Sequence, residues 1–170
     1  IFIMSKPINF AILGAGIIAN ALAEAVTKMP KEENVIPYAV ASRDLQRAEA
    51  FRAKYNFQKA YGSYDEMLDD PNVHLVYVAT PHSHHYQHVK LCLEKNKNVL
   101  CEKAFTANAQ QAREIIKLAE DKKLLLTEAI WPRYMPMAKT IVDEVNSGII
   151  GEVFTLTANL GYPIDHVQRL

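Results

Sequence analysis

The chain has 170 residues, of which 49% are hydrophobic and 22% are charged, a composition typical of a folded globular protein. Its 19 basic and 19 acidic residues balance to a formal net charge of zero, which gives no reason to expect nucleic acid or an anionic membrane as a partner. The most apolar stretch, residues 11–26, is interrupted by glycines and is too short to form a transmembrane helix.

The chain start and the cysteines predict the compartment. Residues 1–7 are interpreted as an extension, and they lack the basic region and small-residue cleavage site of a secretory signal, so we expect none. Cys92 falls in a helical pattern and Cys101 at a strand end, which predicts reduced thiols and a cytoplasmic protein.

Strand and helix patterns alternate along the chain. In order they predict a strand at 8–13, a helix at 17–28, a strand at 35–41, a helix at 44–55, a short strand at 59–61, a short helix at 64–68, a strand at 75–79, a helix at 83–95, a strand at 98–101, a helix at 107–122, a strand at 124–127 and a helix at 136–146. Continuous apolar strands separated by helices indicate an α/β fold with a doubly wound parallel sheet, the Rossmann arrangement, over residues 8–150.

The pattern changes after Gly151. Residues 153–160 alternate between apolar and polar positions, which is typical of a half-buried strand in an antiparallel sheet. We therefore interpret residues 151–170 as the start of a truncated α+β substrate or dimerisation domain.

A G-x-G-x-x-A sequence begins at Gly14, directly after the first strand, and opens the first helix. Gly14 permits a tight turn, Gly16 permits close approach of a pyrophosphate, and the helix start at Ile17 and Ile18 offers free N–H groups to phosphates. The motif therefore predicts dinucleotide binding; a plain structural turn or another nucleoside ligand are the alternatives.

The end of the second strand bears on cofactor choice. An NAD site usually has Asp or Glu there to bind the ribose 2′-hydroxyl, whereas this chain has Ser42 and Arg43. Both can bind a 2′-phosphate, so NADP is predicted in preference to NAD. Alternatively, Arg43 is a solvated loop charge; the neighbouring Asp44 is interpreted as a helix cap.

Four histidines follow the strand at 75–79: His82, His84, His85 and His88. No cysteine or acid lies among them, so we expect no metal site. Thr80, Pro81 and His82 lie at the carboxyl end of the strand, where they are expected to contact the nicotinamide ribose. His84 and His88 are interpreted as surface residues.

Two further strand ends carry polar residues. Glu102 and Lys103 follow the fifth strand, where a lysine can hydrogen-bond a substrate hydroxyl and help move its proton; the alternative is an exposed lysine paired with Glu102. Trp131 and Arg133 follow the sixth strand, and we expect them at the same edge of the sheet, where ligands bind. The alternative is a tryptophan that fills the core and an arginine that faces solvent.

Together these motifs resemble the Gfo/Idh/MocA oxidoreductases, from about residue 8 to residue 151, and within them the branch of dimeric dihydrodiol dehydrogenases and NADP-xylose dehydrogenases. The resemblance rests on A-I-L-G-A-G-I-I-A at 11–19, A-S-R-D at 41–44, K-A-Y-G-S-Y at 59–64, V-A-T-P-H-S-H-H at 78–85, L-C-E-K at 100–103 and T-E-A-I-W-P-R at 127–133.

The resemblance implies roles for individual residues. The family's E-K-P motif falls on Glu102, Lys103 and Ala104, which makes Lys103 the candidate catalytic residue and Ala104 a departure from the usual proline. Its T-P-x-x-x-H element places Thr80, Pro81 and His85 near the cofactor. Its W-x-R element implies that Trp131 and Arg133 shape the cofactor site or the active site. The family's substrate-domain acid–base residues lie beyond residue 170, and Asp165 and His166 do not match them.

The sequence thus predicts an NADP-dependent oxidoreductase that moves a hydride between nicotinamide and a carbinol or carbonyl carbon of a small sugar, polyol or diol. A homodimer or higher homo-oligomer through the substrate domain is implied by the resemblance. A non-catalytic NADP(H)-binding regulator on the same fold is the alternative, and a methyltransferase-like domain is disfavoured because it would need an acid where Ser42 and Arg43 stand.

Overall fold

The parallel strands and covering helices predicted above are present in the computed structural model of the protein, which describes residues 6–161. In chain order the elements are β1 (Ile8–Leu13), α1 (Ile17–Thr27), β2 (Val35–Ala41), α2 (Leu45–Tyr55), β3 (Lys59–Tyr61), α3 (Tyr64–Asp69), β4 (Leu75–Val78), α4 (His85–Glu94), β5 (Asn98–Cys101), α5 (Ala109–Lys122), β6 (Leu126–Glu128) and α6 (Pro136–Asn146). Short 3-10 helices lie at Lys31–Glu33, His82–His84 and Trp131–Tyr134.

The six strands form one parallel sheet in the order β3-β2-β1-β4-β5-β6. The chain moves outward from β1 to β3 and then returns to the other side of β1 to form β4. The carboxyl ends of β1 and β4 are therefore neighbours, with Leu13 paired to Val78. In open α/β sheets this reversal of direction is where ligands bind.

Both faces of the sheet are buried, as a doubly wound fold requires. Along β1, Phe10 and Ile12 point to the core under α1 and α2, while Ala11 and Leu13 point to the core under α3, α4 and α5. Full burial of one large aliphatic side chain contributes roughly 1.5–3 kcal/mol, so these two apolar layers fix the sheet between its helices.

A buried carboxylate joins β2, β3 and the connection into β4. Oδ2 of Asp70 accepts hydrogen bonds from the hydroxyls of Tyr38 at 2.9 Å and Tyr61 at 2.7 Å and from Nζ of Lys59 at 2.7 Å. Oδ1 accepts the backbone N–H of Asn72 at 2.9 Å. Burial alone would raise the pKa of Asp70, but these hydrogen bonds outweigh it and hold the pKa well below its ordinary value.

The contacts divide the chain into two compact units, Ile1–Ile130 and Trp131–Leu170. The first contains the whole sheet. The second contains α6 and, over residues 151–161, no strand. The domain boundary at residue 150 stays a prediction, and Asp165 and His166 lie outside the described residues.

The strand predicted at 153–160 is therefore wrong for this structure. A strand is held by hydrogen bonds to a neighbouring strand, and the described part of the second unit supplies none. Its apolar side chains are accordingly in solvent: Phe154 is 85% exposed, Leu156 83% and Leu160 81%. Among the residues that the structure describes, no helix is long and apolar enough to cross a membrane.

Candidate functional site

The turn after β1 can be made only by glycine at its first position. Gly14 has a φ of +104°, and an added Cβ would lie 3.0 Å from Cγ2 of Thr80 and 3.2 Å from the carbonyl oxygen of Ala79. Its N–H donates to the carbonyl oxygen of Ala41 at 2.9 Å, which ties the turn to the end of β2. The glycine loop is thus held directly against the ends of β2 and β4.

The N-terminus of α1 is uncapped and free of acid. No side chain caps the helix at Gly16, and no acidic residue lies in the first turn, where Ile17 is 78% exposed and Ile18 41% exposed. A Cβ on Gly16 would meet only Ala79 O at 3.7 Å, an ordinary contact. Accessible N–H groups and the positive end of the helix dipole fit the pyrophosphate of a dinucleotide.

A serine and an arginine follow the end of β2, and their part in cofactor binding stays a prediction. Ser42 is buried and its Oγ accepts the backbone N–H of Asp44 at 3.3 Å, while the side chain of Arg43 is exposed. Asp44 caps α2: its Oδ1 accepts N–H groups from Gln46 at 2.9 Å and Arg47 at 3.4 Å. The carboxylate adjacent to Arg43 in the chain therefore caps the helix, which confirms its interpretation as a cap.

A second arginine lies beside the glycine loop, and sequence reasoning missed it. Nε of Arg47 donates to the carbonyl oxygen of Ala15 at 2.9 Å. Arg47 follows Arg43 by four residues, about one helical turn, and this spacing was the available indication. Two guanidinium groups therefore belong to the region where a 2′-phosphate would be bound.

Thr80 is fixed by a histidine. Nδ1 of His88 lies 2.9 Å from Oγ1 of Thr80, and the imidazole packs edge-on against the ring of Tyr64 with centroids 5.0 Å apart. Burial, followed by the nearby charges of His84 and His85, lowers the pKa of His88 to about 4. His84 is exposed as predicted, whereas His88 is half-buried, so its interpretation as a surface residue is wrong.

The remaining residues after β4 divide between solvent and core. Pro81 and His82 are exposed at the edge of the sheet, where they were predicted. His85 is fully buried, and its Nε2 and Nδ1 lie 2.9 Å from Thr80 O and 2.8 Å from Ala104 O. Both ring nitrogens thus contact backbone carbonyl oxygens, so His85 connects the segment after β4 to the segment after β5.

Glu102 and Lys103 directly follow β5, the strand next to β4. Lys103 is exposed, while Glu102 is 9% exposed and accepts a hydrogen bond from the Tyr77 hydroxyl at 2.5 Å. Burial and the contact with Glu102 raise the pKa of Tyr77, which keeps that hydroxyl protonated as a donor. The peptide bond between Lys103 and Ala104 is cis.

Two predicted site residues belong to the second unit. Trp131 and Arg133 lie in the 3-10 helix at Trp131–Tyr134, where Trp131 is 62% exposed. Their part in cofactor binding stays a prediction. Within residues 6–161 the structure groups no three His, Cys, Asp or Glu side chains that could hold a metal ion.

The glycine loop and the segments that follow β2, β4 and β5 lie at the carboxyl-end edge of the sheet, around the point where the strand order reverses between β1 and β4. We call this edge the ligand edge. Residues 8–130 match the model of the GFO_IDH_MocA family, described as an oxidoreductase family with an NAD-binding Rossmann fold. The chain belongs to this family. The Gfo/Idh/MocA assignment thereby confirms the resemblance drawn from the motifs.

Relatives with assigned activities are similar along most of the chain. Trans-1,2-dihydrobenzene-1,2-diol dehydrogenase of Mus musculus is 40% identical over 162 residues, which cover 95% of this chain and 48% of that protein. D-xylose 1-dehydrogenase (NADP(+)) of Hypocrea jecorina is 50% identical over 123 residues, 71% of this chain and 32% of that protein. The chain spans about half the length, or less, of the curated relatives it matches.

Solved structures of two oxidoreductases superpose well on this chain. An NAD-binding oxidoreductase from Klebsiella pneumoniae gives a TM-score of 0.79 at 29% identity, covering 87% of this chain and 41% of its own. A 3-ketoreductase from Actinomadura kijaniata, solved with NADP, gives 0.77 at 28% identity, covering 86% of this chain and 46% of its own. These matches agree with the Rossmann topology described above.

Proposed function

We propose that the protein containing this chain is an NADP-dependent oxidoreductase that acts on the carbinol or carbonyl carbon of a small sugar, polyol or diol. The observation that carries the proposal is the ligand edge itself. The start of α1 has no acidic residue and no side-chain cap, and Arg47 of α2 is hydrogen-bonded to the loop before it. The exposed Arg43 follows β2, and the exposed Lys103 follows β5, the strand next but one to β1.

NADP is the proposed cofactor because of the chemistry at the end of β2. Ser42 offers a hydroxyl, Arg43 and Arg47 offer guanidinium groups, and the carboxylate of Asp44 is engaged as a helix cap. Guanidinium groups bind phosphate through charge-assisted hydrogen bonds, whereas a free carboxylate there would repel it. The xylose dehydrogenase relative and the ketoreductase neighbour are both named with NADP.

The proposed role of Lys103 is proton transfer. When bound, the nicotinamide supplies the hydride chemistry, and the protein supplies orientation and proton handling. An ammonium at Lys103 would hydrogen-bond the substrate oxygen and stabilise or move its proton. The alcohol or carbonyl substrate class rests on the names of the dehydrogenase relatives.

The test is Lys103→Met in the whole protein that contains this chain. We expect kcat to fall by about 10²- to 10⁴-fold, the usual contribution of general acid–base help, with NADPH affinity unchanged. Lys117→Met is the matched control, because Lys117 is an exposed lysine on α5 paired with Asp121 at 3.1 Å. Parental turnover by the Lys103 variant would contradict the role.

The 170-residue chain alone is expected to bind NADPH but not to turn over pentoses, diols or dicarbonyls. The residues proposed for the pyrophosphate and the 2′-phosphate all lie in the first compact unit. The rest of the substrate domain, with its second acid–base group, is proposed to correspond to the part of the curated relatives' length that this chain does not cover. Turnover by this chain would show that such a domain is dispensable.

A homodimer and a cytoplasmic location remain proposals. Both cysteines, Cys92 and Cys101, are buried free thiols, which agrees with a reducing compartment. Light scattering of the whole protein would decide its oligomeric state.

A further inference from the structure

The segment that carries Lys103 is held by side chains from β6 and α4. Residues 103–105 follow β5, where the strand ladder ends. The N–H of Phe105 donates to Oε1 of Glu128, at the end of β6, at 2.8 Å. The carbonyl oxygen of Ala104 lies 2.8 Å from Nδ1 of His85 at the start of α4.

The N–H of Lys103 itself is held by its neighbour. It donates to Oε2 of Glu102 at 3.1 Å, while the other carboxylate oxygen, Oε1, accepts the hydroxyl of Tyr77 at 2.5 Å. Tyr77 is 2% exposed and lies on β4, where it packs in the core under α1 and α2. The tyrosine thus fixes the carboxylate, and the carboxylate fixes the lysine amide.

We propose that Tyr77 and Glu128 are positioning residues for Lys103, each acting through a backbone N–H of residues 103–105. The inference rests on the proposed function, in which Lys103 handles the substrate proton. Glu128 is half-buried and Tyr77 is buried in the core. We therefore infer that both act on Lys103 through the backbone of residues 103–105. Fixed geometry matters because a misplacement of about 1 Å at a reacting group can cost on the order of 10²-fold in rate.

The first experiment compares Glu128→Ala with Glu128→Gln. The alanine variant removes the acceptor of the Phe105 N–H, while glutamine keeps a carbonyl oxygen at a similar reach. We expect the amide exchange of Phe105, followed by NMR in this chain, to speed up by about 10-fold or more in the alanine variant and to return towards the parent value in the glutamine variant. Glu120→Ala, an exposed acid on α5, is the control.

The second experiment uses Tyr77→Phe, which removes only the hydroxyl. We expect faster amide exchange at Lys103, because the Glu102 carboxylate is no longer fixed. Tyr86→Phe is the matched control, since its hydroxyl also donates to a carboxylate, that of Glu114 at 2.6 Å, but on the surface.

Turnover in the whole protein completes the test. For Glu128→Ala and Tyr77→Phe we expect kcat to fall by about 10- to 100-fold while the NADPH Kd and KM stay within about twofold, with Glu128→Gln close to the parent. Unchanged amide exchange, or faster exchange with a parental kcat, would overturn the positioning role.

The proposed function can fail separately. If the parent protein shows no turnover, the dehydrogenase assignment fails. The positioning inference is then decided by amide exchange and by the NADPH-induced shift of the Lys103 amide resonance. That shift must be altered in Tyr77→Phe, and an unaltered shift would overturn the inference as well.

Discussion

The Nε of Arg47 donates a hydrogen bond to the carbonyl oxygen of Ala15 at 2.9 Å, joining the first turn of α2 to the glycine loop. The contact holds a guanidinium between two parts of the proposed cofactor site. A residue that both shapes the loop and carries positive charge links the pyrophosphate region to the 2′-phosphate region. This relationship makes cofactor choice the first property to test.

Arg43→Ala should narrow the preference for NADPH over NADH. The parent is expected to bind NADPH more tightly, and loss of one charge-assisted phosphate contact should weaken NADPH binding by about 1.5–3 kcal/mol with little effect on NADH. Calorimetric titration of both cofactors measures the gap. Arg52→Ala is the control, because Arg52 is an arginine on α2, the helix that follows Arg43, and it pairs with Glu49 at 2.7 Å. Equal affinities of the parent for both cofactors would contradict the prediction.

Gly14→Ala should destabilise the fold and abolish NADPH binding. The new Cβ meets Thr80 at 3.0 Å and the residue adopts a φ of +104°, which together are expected to cost roughly 1–3 kcal/mol. Urea unfolding gives the free energy directly. Gly148→Ala separates the two causes, because Gly148 has a φ of +77° but nothing within 4 Å of its added Cβ. Equal losses in both variants would mean that the close contact is unimportant.

Asp70→Asn should lower stability at neutral pH and have less effect in acid. The pKa of Asp70 lies below its ordinary value of 3.8, so its stabilisation is complete above about pH 4 and is lost as the pH falls further. Loss of the charged acceptor is expected to cost about 1–3 kcal/mol at pH 7.

Urea unfolding of parent and variant at pH 7 and pH 3 tests this, with Asp69→Asn as the control. Asp69 is the neighbouring residue, and its carboxylate is 62% exposed and paired with Lys95 on the surface. A difference between parent and Asp70→Asn that stays constant down to pH 3 would contradict the prediction.

His88→Gln should flatten the pH dependence of stability between about pH 4 and pH 6.5, a higher pH range than the one in which Asp70 acts. Because burial lowers the pKa of His88 from 6.5 to about 4, the folded protein favours the neutral ring. Its contribution is complete above pH 6.5 and is lost as the pH falls towards 4. Melting temperatures at pH 7, 5.5 and 4.5 should fall less in this variant than in the parent. His82→Gln, at an exposed position whose charge is not among those acting on His88, should follow the parent. An identical slope in His88→Gln would refute the assignment.

The strands were predictable because a parallel sheet buried on both faces leaves continuous apolar runs. The bounds predicted for β1, β2, β3 and β5 are those observed. β6 starts two residues later than predicted, because Lys123 ends α5 with a φ of +56° and the chain needs further residues to reach the sheet. The prediction of a strand at 153–160 was wrong because alternation indicates only which face of a strand is buried. The strand itself forms only where a neighbouring strand pairs with it.

The site was predictable where it depends on the ends of strands, and not where it depends on packing between elements. The glycine loop, Ser42, Arg43 and Lys103 follow from their positions after apolar runs. The contacts that support them join residues far apart in the chain, such as Tyr77 with Glu102 and Glu128 with Phe105. No local pattern encodes such pairings.

The burial of both thiols makes this chain well suited to site-specific labelling. Burial raises the pKa of Cys92 far above its ordinary value and that of Cys101 to about 12, so neither forms the reactive thiolate near neutral pH. A single cysteine introduced at an exposed position would therefore be modified selectively by maleimide. At position 82, where the native histidine is exposed at the ligand edge, an environment-sensitive fluorophore would report cofactor occupancy without any measurement of turnover.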